Sequence, residues 1–420
     1  MELTLAVHLV DELGFGDATR LDGTRLIINQ EELRQHLLED RRLQSVEMEI
    51  AKPGQPCRVG MVYDILEPRA KAPGDGSNFP GILGPITVAG RGTTHVLRGA
   101  AVTVVDAGAP LANGKIVEMS GPAGEESPYA LLNHLAIVPS ASPDQERHTV
   151  LNALRLASVK ASVYLAQAAV GQAYDSSEVF HMAGPAETGR EGLPRVAYIG
   201  QIHSRQRVAE VDEQIFYGNN TSGMVPVVLH PNEWLDGAVV TGHQNMGVET
   251  YFYQNHPIIT ELYRWHREGR ITLVGTIATM AASDNEDRER NSMLAAQLAK
   301  WNLSADGVIL SKYGGGAPHA DMALTARLCE ELGISTTVQA SDMSRDRRAE
   351  SALRFNYPEV DAIVYVGGND TAWAVPPVEK VIAGNPTVAT ALESAQEFPA
   401  ASICGVTSQQ GASRLRCFVH

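Results

Sequence analysis

The sequence predicts an α/β protein: a mostly β amino-terminal domain followed by a doubly wound, mainly parallel, Rossmann-like α/β region. Its 420 residues exceed what one ordinary core accommodates, so more than one domain is expected. Short apolar alternations dominate the first 140 residues, whereas strand-like and helix-like stretches alternate after Pro194. We predict a β domain over 1–147, a bridging helix and loop over 148–193, and α/β domain(s) over 194–420.

The amino-terminal prediction rests on alternating apolar stretches, among them MELTLAVHLV, RLIINQ, SVEMEIA and HVLRGAAVTVVD. Breaks rich in Gly and Pro separate these stretches, as expected for turns between strands. The longest break, AKAPGDGSNFPGILGP, is either a surface connector or a loop that reaches into a site at a domain or subunit boundary.

A long helix is expected to bridge the two halves. The stretch from His148 to Gln172 has apolar residues at helical spacing and is rich in Ala and Leu. The residues that follow it, up to Pro194, are expected to form a loop.

The carboxyl-terminal half contains runs of β-branched residues that end in Gly, Ser or Thr, as strands of a parallel sheet buried on both faces do. The predicted strands are RVAYIGQI, PVVLH, AVVTG, ITLVGTIAT, GVILSK, STTVQA, AIVYVGG and ASICGV. Helices are predicted between them, at RERNSMLAAQLAKWN and ADMALTARLCEELG.

Composition excludes several function classes. The chain carries 34 Lys and Arg against 49 Asp and Glu, a net charge of −15, which opposes binding to nucleic acid or an acidic membrane surface. No stretch has the roughly 20 apolar residues of a membrane span, and the first residues do not resemble a secretory signal. The four cysteines are far apart and form no CxxC pair. We therefore expect a cytoplasmic protein.

Polar residues follow several predicted strands, where ligands of open α/β sheets bind. His243 follows AVVTG, His319 and Asp321 follow GVILSK, and Asn369 and Asp370 follow AIVYVGG. Parallel strands deliver these loops to one edge of the sheet, so we expect a single site with His243 facing His319.

Several segments, taken together and in order, resemble one family. VVLHPNEWLDGAVVTG and TYFYQNHPIITELYRWH, with GMVYDILEPRA upstream and GGGAPHADMALTARLCEELGI and DAIVYVGGNDTAWAVPPVEKVIA downstream, are similar to component B proproteins of glycine, sarcosine and betaine reductases. The D-proline reductase proprotein is a more distant relative. The resemblance runs from about residue 55 to 385.

The resemblance implies a specific chemistry. Members of this family cleave themselves at an Asn–Cys bond just after the dipeptide corresponding to Thr241-Gly242, and the exposed Cys becomes a pyruvoyl group. That group holds an amino substrate while a selenol or thiol of a partner subunit attacks the α-carbon and the C–N bond breaks.

This chain departs from that pattern, because His243-Gln244 stands where Asn–Cys is expected. Pyruvoyl formation needs a Ser, Thr or Cys side chain that attacks the preceding carbonyl and later leaves by elimination, and Gln does neither. We therefore expect an unprocessed chain without a pyruvoyl group.

A histidine-based or metal site is the expected replacement. His243 with Glu249 or Asp321 is a suitable acid–base pair, and His319 is a further candidate catalytic residue. His243, His319 and Glu249 also form a candidate ligand set for Zn²⁺ or Fe²⁺, although no compact metal motif is present. The competing interpretation is that these residues form hydrogen bonds at loop ends.

The candidate substrate-binding residues are Asn245, His256, Asn369, Asp370 and Tyr63. For Tyr63, next to Asp64 in MVYDILEP, the favoured interpretation is a core residue.

Some further residues are expected to be structural. His230 and Glu233 should shape a turn, and Cys404 and Cys417 are expected to be buried thiols.

Two hypotheses follow. The first is an oligomeric enzyme subunit, of a reductase or lyase type, that acts on the C–N, C–S or related bond of a small amino- or ammonium-bearing carboxylate. It would work with a second subunit carrying a reactive Cys or selenocysteine. The second is a non-catalytic structural or substrate-binding subunit of the same kind of complex.

Overall fold

The computed structural model describes residues 1–142, 144–184, 192–202, 221–241, 248–282, 284–312, 316–342, 359–411 and 417–419. Within these ranges the protein is mixed α/β, as predicted, with several sheets of mixed strand direction.

Strands predominate in the amino-terminal third. They are β1 (Glu2–Leu9), β2 (Glu12–Phe15), β3 (Arg20–Asp22), β4 (Arg25–Ile28), β5 (Leu43–Ala51), β6 (Cys57–Val59), β7 (Val62–Leu66), β8 (Arg69–Lys71), β9 (Gly92–Arg98), β10 (Ala100–Val105), β11 (Val117–Glu118) and β12 (Asn133–Ala141). The helices of this part are α1 (Gln30–Leu38), α2 (Gly121–Glu126) and α3 (Arg147–Gln167).

Helix α3 corresponds to the predicted bridging helix, and its buried face packs in the same core as β7, β10 and β12. The sequence predicts five more helical residues, but the chain continues as a turn from Ala168 to Gly171, whose φ is +84°. A residue in that left-handed conformation cannot continue an α-helix, and glycine adopts it without strain. The helix therefore ends before Gly171.

The remaining strands are β13 (Ser176–His181), β14 (Arg195–Ile202), β15 (Val227–Leu229), β16 (Thr272–Met280), β17 (Gly307–Ser311), β18 (Ser335–Asp342), β19 (Ala362–Gly368), β20 (Ala372–Val375), β21 (Lys380–Ile382), β22 (Gln396–Pro399) and β23 (Cys417–Val419). The remaining helices are α4 (Pro231–Leu235), α5 (Thr250–Gln254), α6 (Pro257–Arg267), α7 (Asn285–Gln297), α8 (Ala317–Glu331) and α9 (Pro386–Glu393).

The main sheet has the order β15-β16-β14-β17-β18-β19-β23. Strands β14, β16, β17, β18 and β19 are parallel, and the edge strands β15 and β23 are antiparallel to their neighbours. The mainly parallel α/β prediction is thereby confirmed, while the doubly wound, Rossmann-like description stays a prediction.

Side chains of β14 alternate between two cores. Ala197 and Ile199 lie in one core with residues of α7 and α8, whereas Tyr198 and Ile202 lie in another with residues of α4, α5 and α6. This alternation follows from the period of two in a strand.

Strand pairing also joins the amino-terminal part to later segments. β13 pairs with β1, and β21 pairs with β6. The largest core contains residues from both halves, so the two halves pack through apolar contacts. The predicted domain limits remain predictions.

Two predicted strands differ from the structure. The residues 238–241 of AVVTG are buried but form no strand, because side chains take the backbone groups of Thr241: Thr250 accepts its N–H, and Arg155 donates to its carbonyl. In ASICGV, Ala401 and Ser402 belong to the 3₁₀ helix Ala400–Ser402, and Ile403 and Cys404 make only isolated bridges.

Candidate functional site

The segment that the sequence singles out lies between Thr241 and Val248. His243 and Asn245 fall outside the described residues, so their predicted roles stay predictions. Both flanks of the segment are described and buried, and each is held by charged or polar side chains of the amino-terminal half.

A buried carboxyl group holds the downstream flank. Asp64, on β7, is 1% exposed and accepts hydrogen bonds from the backbone N–H and the hydroxyl of Thr250, at 2.8 and 2.7 Å. The hydroxyl of Thr250 also accepts the backbone N–H of Thr241 at 2.9 Å. Asp64 therefore links the two ends of the segment through one threonine.

A buried ion pair lies beside it. Lys115 Nζ donates to Glu249 Oε1 at 2.9 Å, and Tyr129 Oη donates to Glu249 Oε2 at 3.1 Å. Glu249 precedes α5 and occupies its N-cap position, where a negative charge is favourable. The carboxylate is thus held by a cation and a phenol.

The upstream flank is held by α3. Arg155 is 3% exposed; its Nε donates to the Thr241 carbonyl at 3.1 Å, and its Nη2 donates to Tyr63 Oη at 2.9 Å. Tyr63 is itself buried, so it is both a core residue and a neighbour of the segment. We call the set Asp64, Lys115, Tyr129, Arg155, Glu249 and Thr250 the Asp64 cluster.

The two carboxyl groups of this cluster differ in acidity. Burial raises the pKa of Asp64 to about 7, and the hydrogen bonds from Thr250 oppose this effect only in part. Burial also acts to raise the pKa of Glu249, but the charge and hydrogen bond of Lys115 outweigh it, so that pKa lies below its usual value. One group is therefore close to half protonated at neutral pH while its neighbour is ionised.

The described contacts of Asp321 are with residues outside the Asp64 cluster. Its carboxylate accepts the backbone N–H of Ala282 at 2.8 Å and forms an ion pair with Arg288 of α7. It therefore ties the start of α8 to α7. His319 occupies the first turn of α8 and is fully buried.

His256 contacts another set of residues, which does not include the Asp64 cluster. It caps α6, where its Nδ1 accepts the N–H of Ile259, and its Nε2 contacts Tyr198 Oη and Gln410 Nε2, each at 3.1 Å. Complete burial lowers its pKa to about 3, so the imidazole is neutral at pH 7.

Asn369 and Asp370 follow β19 as predicted. Asn369 is half-buried, and its carbonyl accepts the N–H of Ala401 at 3.0 Å, whereas Asp370 is exposed. The described contacts do not bring these two residues to the Asp64 cluster.

His230 and Glu233 form the turn expected of them. The Glu233 carboxylate accepts the backbone N–H of His230 at 2.6 Å, and His230 Nδ1 accepts the N–H of Asn232. This reciprocal arrangement starts α4.

Lys115, Tyr129 and Arg155 are functional candidates that appear only in the structure. The burial of Arg155 was predictable from the sequence. It is a single cation on the apolar face of α3, and a buried cation needs a partner. Lys115 and Tyr129 stand in irregular stretches without a motif, so only the fold brings them to Glu249.

Two further observations concern the part of the chain that the structure describes. Among the described residues, no three His, Cys, Asp or Glu side chains lie close enough together to bind a metal ion. A cavity lined by Arg69, Lys71, Thr94, Asp236 and Gln254 has a volume of about 10 Å³, which is room for about one water molecule.

The helices that the structure describes include none of the length and apolarity required to traverse a bilayer.

The chain is similar to known proteins. Residues 1–398 match the family model described as glycine/sarcosine/betaine reductase component B subunits. The chain is 28% identical over 431 residues to "Glycine reductase complex component B subunits alpha and beta" of Acetoanaerobium sticklandii, covering 99% of each.

Two relatives from Peptoclostridium acidaminophilum show similar identity. "Sarcosine reductase complex component B subunit alpha" is 29% identical over 388 residues, which are 91% of this chain and 89% of the relative. "Betaine reductase complex component B subunit alpha" is 28% identical over 392 residues, 91% of this chain and 88% of the relative. No solved structure matches the chain.

Proposed function

Because the chain belongs to the family of glycine/sarcosine/betaine reductase component B subunits, we propose that it is a cytoplasmic subunit of a reductase-type complex. The proposed reaction breaks the C–N bond, or a C–S or related bond, of a small amino- or ammonium-bearing carboxylate. The relatives named for glycine, sarcosine and betaine reductases support this substrate class, because each of those compounds carries nitrogen on the carbon next to a carboxylate.

The carboxyl group of Asp64 carries the mechanistic part of the proposal. Cleavage of a C–N bond releases an amine, and a proton donor with a pKa near the working pH assists that departure best. Asp64, with its pKa of about 7, has this property and lies beside the segment where the family resemblance places the chemistry. We assign it the proton transfer to the leaving nitrogen of a primary or secondary amine; a quaternary nitrogen such as that of betaine leaves as a neutral amine with the C–N electron pair and takes no proton.

His243 and Glu249 remain the proposed acid–base pair, with Asn245 and Tyr63 as substrate contacts. His243 follows Thr241 by two positions in the sequence, and Thr241 contacts Arg155 and Thr250 of the Asp64 cluster. His319, Asp321, His256, Asn369 and Asp370 lie in other contact regions, so we leave them out of this site.

A histidine-based site fits this cluster better than a zinc or iron site. The ammonium group of Lys115 is 2.9 Å from the Glu249 carboxylate that was a candidate ligand, and it would repel a bound cation. Because of this repulsion, proton transfer is the role proposed for the Asp64 cluster.

A partner subunit is proposed to supply the nucleophile. Burial raises the pKa of Cys57 to about 11 and of Cys329 to about 12, and it raises that of Cys404 well above the usual thiol value. These three groups remain thiols at neutral pH, and the thiolate is the reactive form. None of the three cysteines whose side chains the structure describes is therefore a reactive thiolate. The proposal assigns the new bond to the α-carbon to a selenol or thiol of a second subunit, as the electron pair of the C–N bond leaves with nitrogen.

The test uses the chain purified together with its native partner subunit. Release of amine from glycine, sarcosine and betaine is measured with a dithiol reductant, for the native chain and for Asp64→Asn. We expect the variant to lose at least about 100-fold in rate on glycine and sarcosine, the usual contribution of a general acid, and much less on betaine, whose quaternary nitrogen takes no proton. Asp361→Asn, which changes an exposed carboxylate, is the matched control.

Intact mass measurement on the same sample tests the absence of processing. An unprocessed chain gives one species near 45.2 kDa. Two fragments that divide the chain within residues 242–247 would overturn this part of the proposal.

A non-catalytic subunit is the second candidate. Its support is that Glu249 and Asp321, both candidate catalytic carboxylates, are each engaged in a buried ion pair. It predicts that Asp64→Asn and Glu249→Gln leave amine release by the assembled complex unchanged.

A further inference from the structure

The ion pair between Lys115 and Glu249 is the part of the Asp64 cluster that solvent reaches. The side chain of Lys115 is 14% exposed and that of Glu249 is 7% exposed. In the ion pair between Arg58 and Glu118, by contrast, both side chains are 0% exposed. A solute can therefore reach the ammonium group of Lys115, whereas the guanidinium group of Arg58 is sealed.

Stability alone does not account for a charged pair at this position. Taking two charges out of water costs about as much as their attraction returns, so apolar residues of the same volume stabilise a core equally well or better. Lysine also carries a compact charge with three N–H donors on a flexible stem. These properties suit a group that binds a second anion while it keeps the first.

The backbone that carries Lys115 is fixed from two sides. Val62, two residues before Asp64 on β7, donates its N–H to the carbonyl of Lys115 at 2.9 Å. On the other side, Cys404 donates its N–H to the carbonyl of Ile116 at 2.8 Å. The strand that carries Asp64 therefore also positions Lys115, as a preorganised binding site requires.

Tyr129 fixes the carboxylate of the pair. Its Oη donates to Glu249 Oε2 at 3.1 Å, while Lys115 Nζ donates to Oε1 at 2.9 Å. The backbone of Tyr129 is held in turn, because its N–H donates to Ser127 Oγ at 3.2 Å and its carbonyl lies 2.8 Å from His134 Nε2. Both oxygens of Glu249 thus have defined directions.

The pair offers one positive and one negative group. Burial acts to lower the pKa of Lys115, but the charge and hydrogen bond of Glu249 outweigh it, so that pKa lies above its usual value. The charge of Asp64 acts on the pKa of Lys115 in the same direction. Lys115 is therefore a cation at neutral pH, in one electrostatic environment with both carboxyl groups of the cluster.

An α-amino carboxylate carries the complementary pair of charges. Its nitrogen and its carboxyl carbon are bonded to the same atom and lie about 2.5 Å apart. With its carboxylate against Lys115, its nitrogen lies against Glu249. Thr250, the next residue, donates to Asp64 through its backbone N–H and its hydroxyl, so this orientation places the nitrogen on the side of the proposed proton donor.

We propose that Lys115 binds the carboxylate of the substrate and that Glu249 faces its cationic nitrogen. The assignment rests on the substrate class proposed above, and it makes Lys115 the residue that selects α-amino carboxylates over simple amines. The contact between Lys115 and Glu249 persists in the complex, because the ammonium group donates to both carboxylates.

Calorimetric titration of the full chain at neutral pH and constant ionic strength tests the assignment. The probes are glycine, sarcosine and betaine, each compared with its carboxamide, in which a neutral amide replaces the carboxylate and the nitrogen is kept. We expect at least one of the three to bind saturably and at least about 10-fold tighter than its carboxamide, a factor that one charge-assisted hydrogen bond supplies.

Two variants that differ only at Lys115 locate the effect. Glu249→Gln keeps the lysine and should retain the preference for the carboxylate over the carboxamide. The double variant Lys115→Met/Glu249→Gln, which leaves no buried charge unpaired, should bind both probes with about equal affinity. Lys380→Met removes a lysine from the ion pair with Glu49 and should bind as the native chain does.

The outcomes separate this assignment from the proposed function. Failure of all three carboxylates to bind, or a carboxylate preference that survives in the double variant, overturns the role of Lys115 even when the assembled complex releases amine. Loss of the preference in the double variant alone supports that role even when the complex releases no amine, a result that would sink the proposed reaction instead. Circular dichroism of each variant verifies that it is folded.

Discussion

Replacing Asp64 by Asn tests the central electrostatic argument directly. The structure gives Asp64 a pKa of about 7 in the folded protein, against an ordinary value of 3.8. Between these values the folded protein retains a proton that the unfolded chain has lost. Stability therefore falls as the pH rises through this window, and it levels off above pH 7.

The size of this change in the free energy of unfolding follows from the shift in the pKa of Asp64. Each pKa unit corresponds to about 1.4 kcal/mol, so the shift of roughly three units is worth about 4 kcal/mol in full. Between pH 5 and pH 8, integration over the two titration curves leaves about 3 kcal/mol. Asp64→Asn removes this dependence, because its neutral amide resembles the protonated acid: Oδ1 keeps both backbone N–H bonds, and Nδ2 donates to the Thr250 hydroxyl.

Urea denaturation at pH 5, 6, 7 and 8 measures the effect. The free energy of unfolding of Asp64→Asn minus that of the native chain should increase by about 3 kcal/mol over this range. Asp361→Asn serves as the control and should run parallel to the native chain, because Asp361 is exposed. A constant difference between Asp64→Asn and the native chain across the four pH values would refute the reasoning.

Three further variants test the buried contacts. Lys115→Met leaves Glu249 buried without its cation and should cost about 3–5 kcal/mol of unfolding free energy in urea denaturation; adding Glu249→Gln should restore part of it. Arg288→Met should lower stability by about 1–3 kcal/mol in the same assay, because it leaves Asp321 without its ion pair between α7 and α8. Gly90→Ala should lower the melting temperature measured by calorimetry, by the equivalent of about 2 kcal/mol or more, since its φ is +84° and the new Cβ would lie 2.8 Å from backbone atoms of α4.

Each of these three variants has a control, or a result that would contradict the prediction. Equal stability of Lys115→Met and the double variant would contradict the ion-pair argument. An unchanged unfolding curve for Arg288→Met would show that the link between α7 and α8 is energetically neutral. Gly74→Ala, at φ +89° with nothing within 4 Å, isolates the backbone strain from the steric contact; Gly90→Ala must be the more destabilising of the two.

Local patterns in the sequence were sufficient to predict most of the α/β part. β14, β16, β17, β18 and β19 follow from runs of β-branched residues, and α7 and α8 follow from helical spacing, because burial on both faces imposes these patterns on neighbouring residues. The family was recognisable for a related reason, since its similar segments are continuous stretches in a fixed order.

The candidate site depended on contacts that no local pattern encodes. Asp64 and Thr250 are 186 positions apart, and Lys115 and Glu249 are 134 positions apart, yet each pair is in hydrogen-bond contact. The segment AVVTG has a strand-like composition but forms no strand, because Arg155 and Thr250 bind its backbone. Sequence by itself therefore determined the five parallel strands, helices α3, α7 and α8, and the family of this protein. Only the tertiary structure decided which charged groups are buried together, and burial is the physical cause of the Asp64 pKa of about 7.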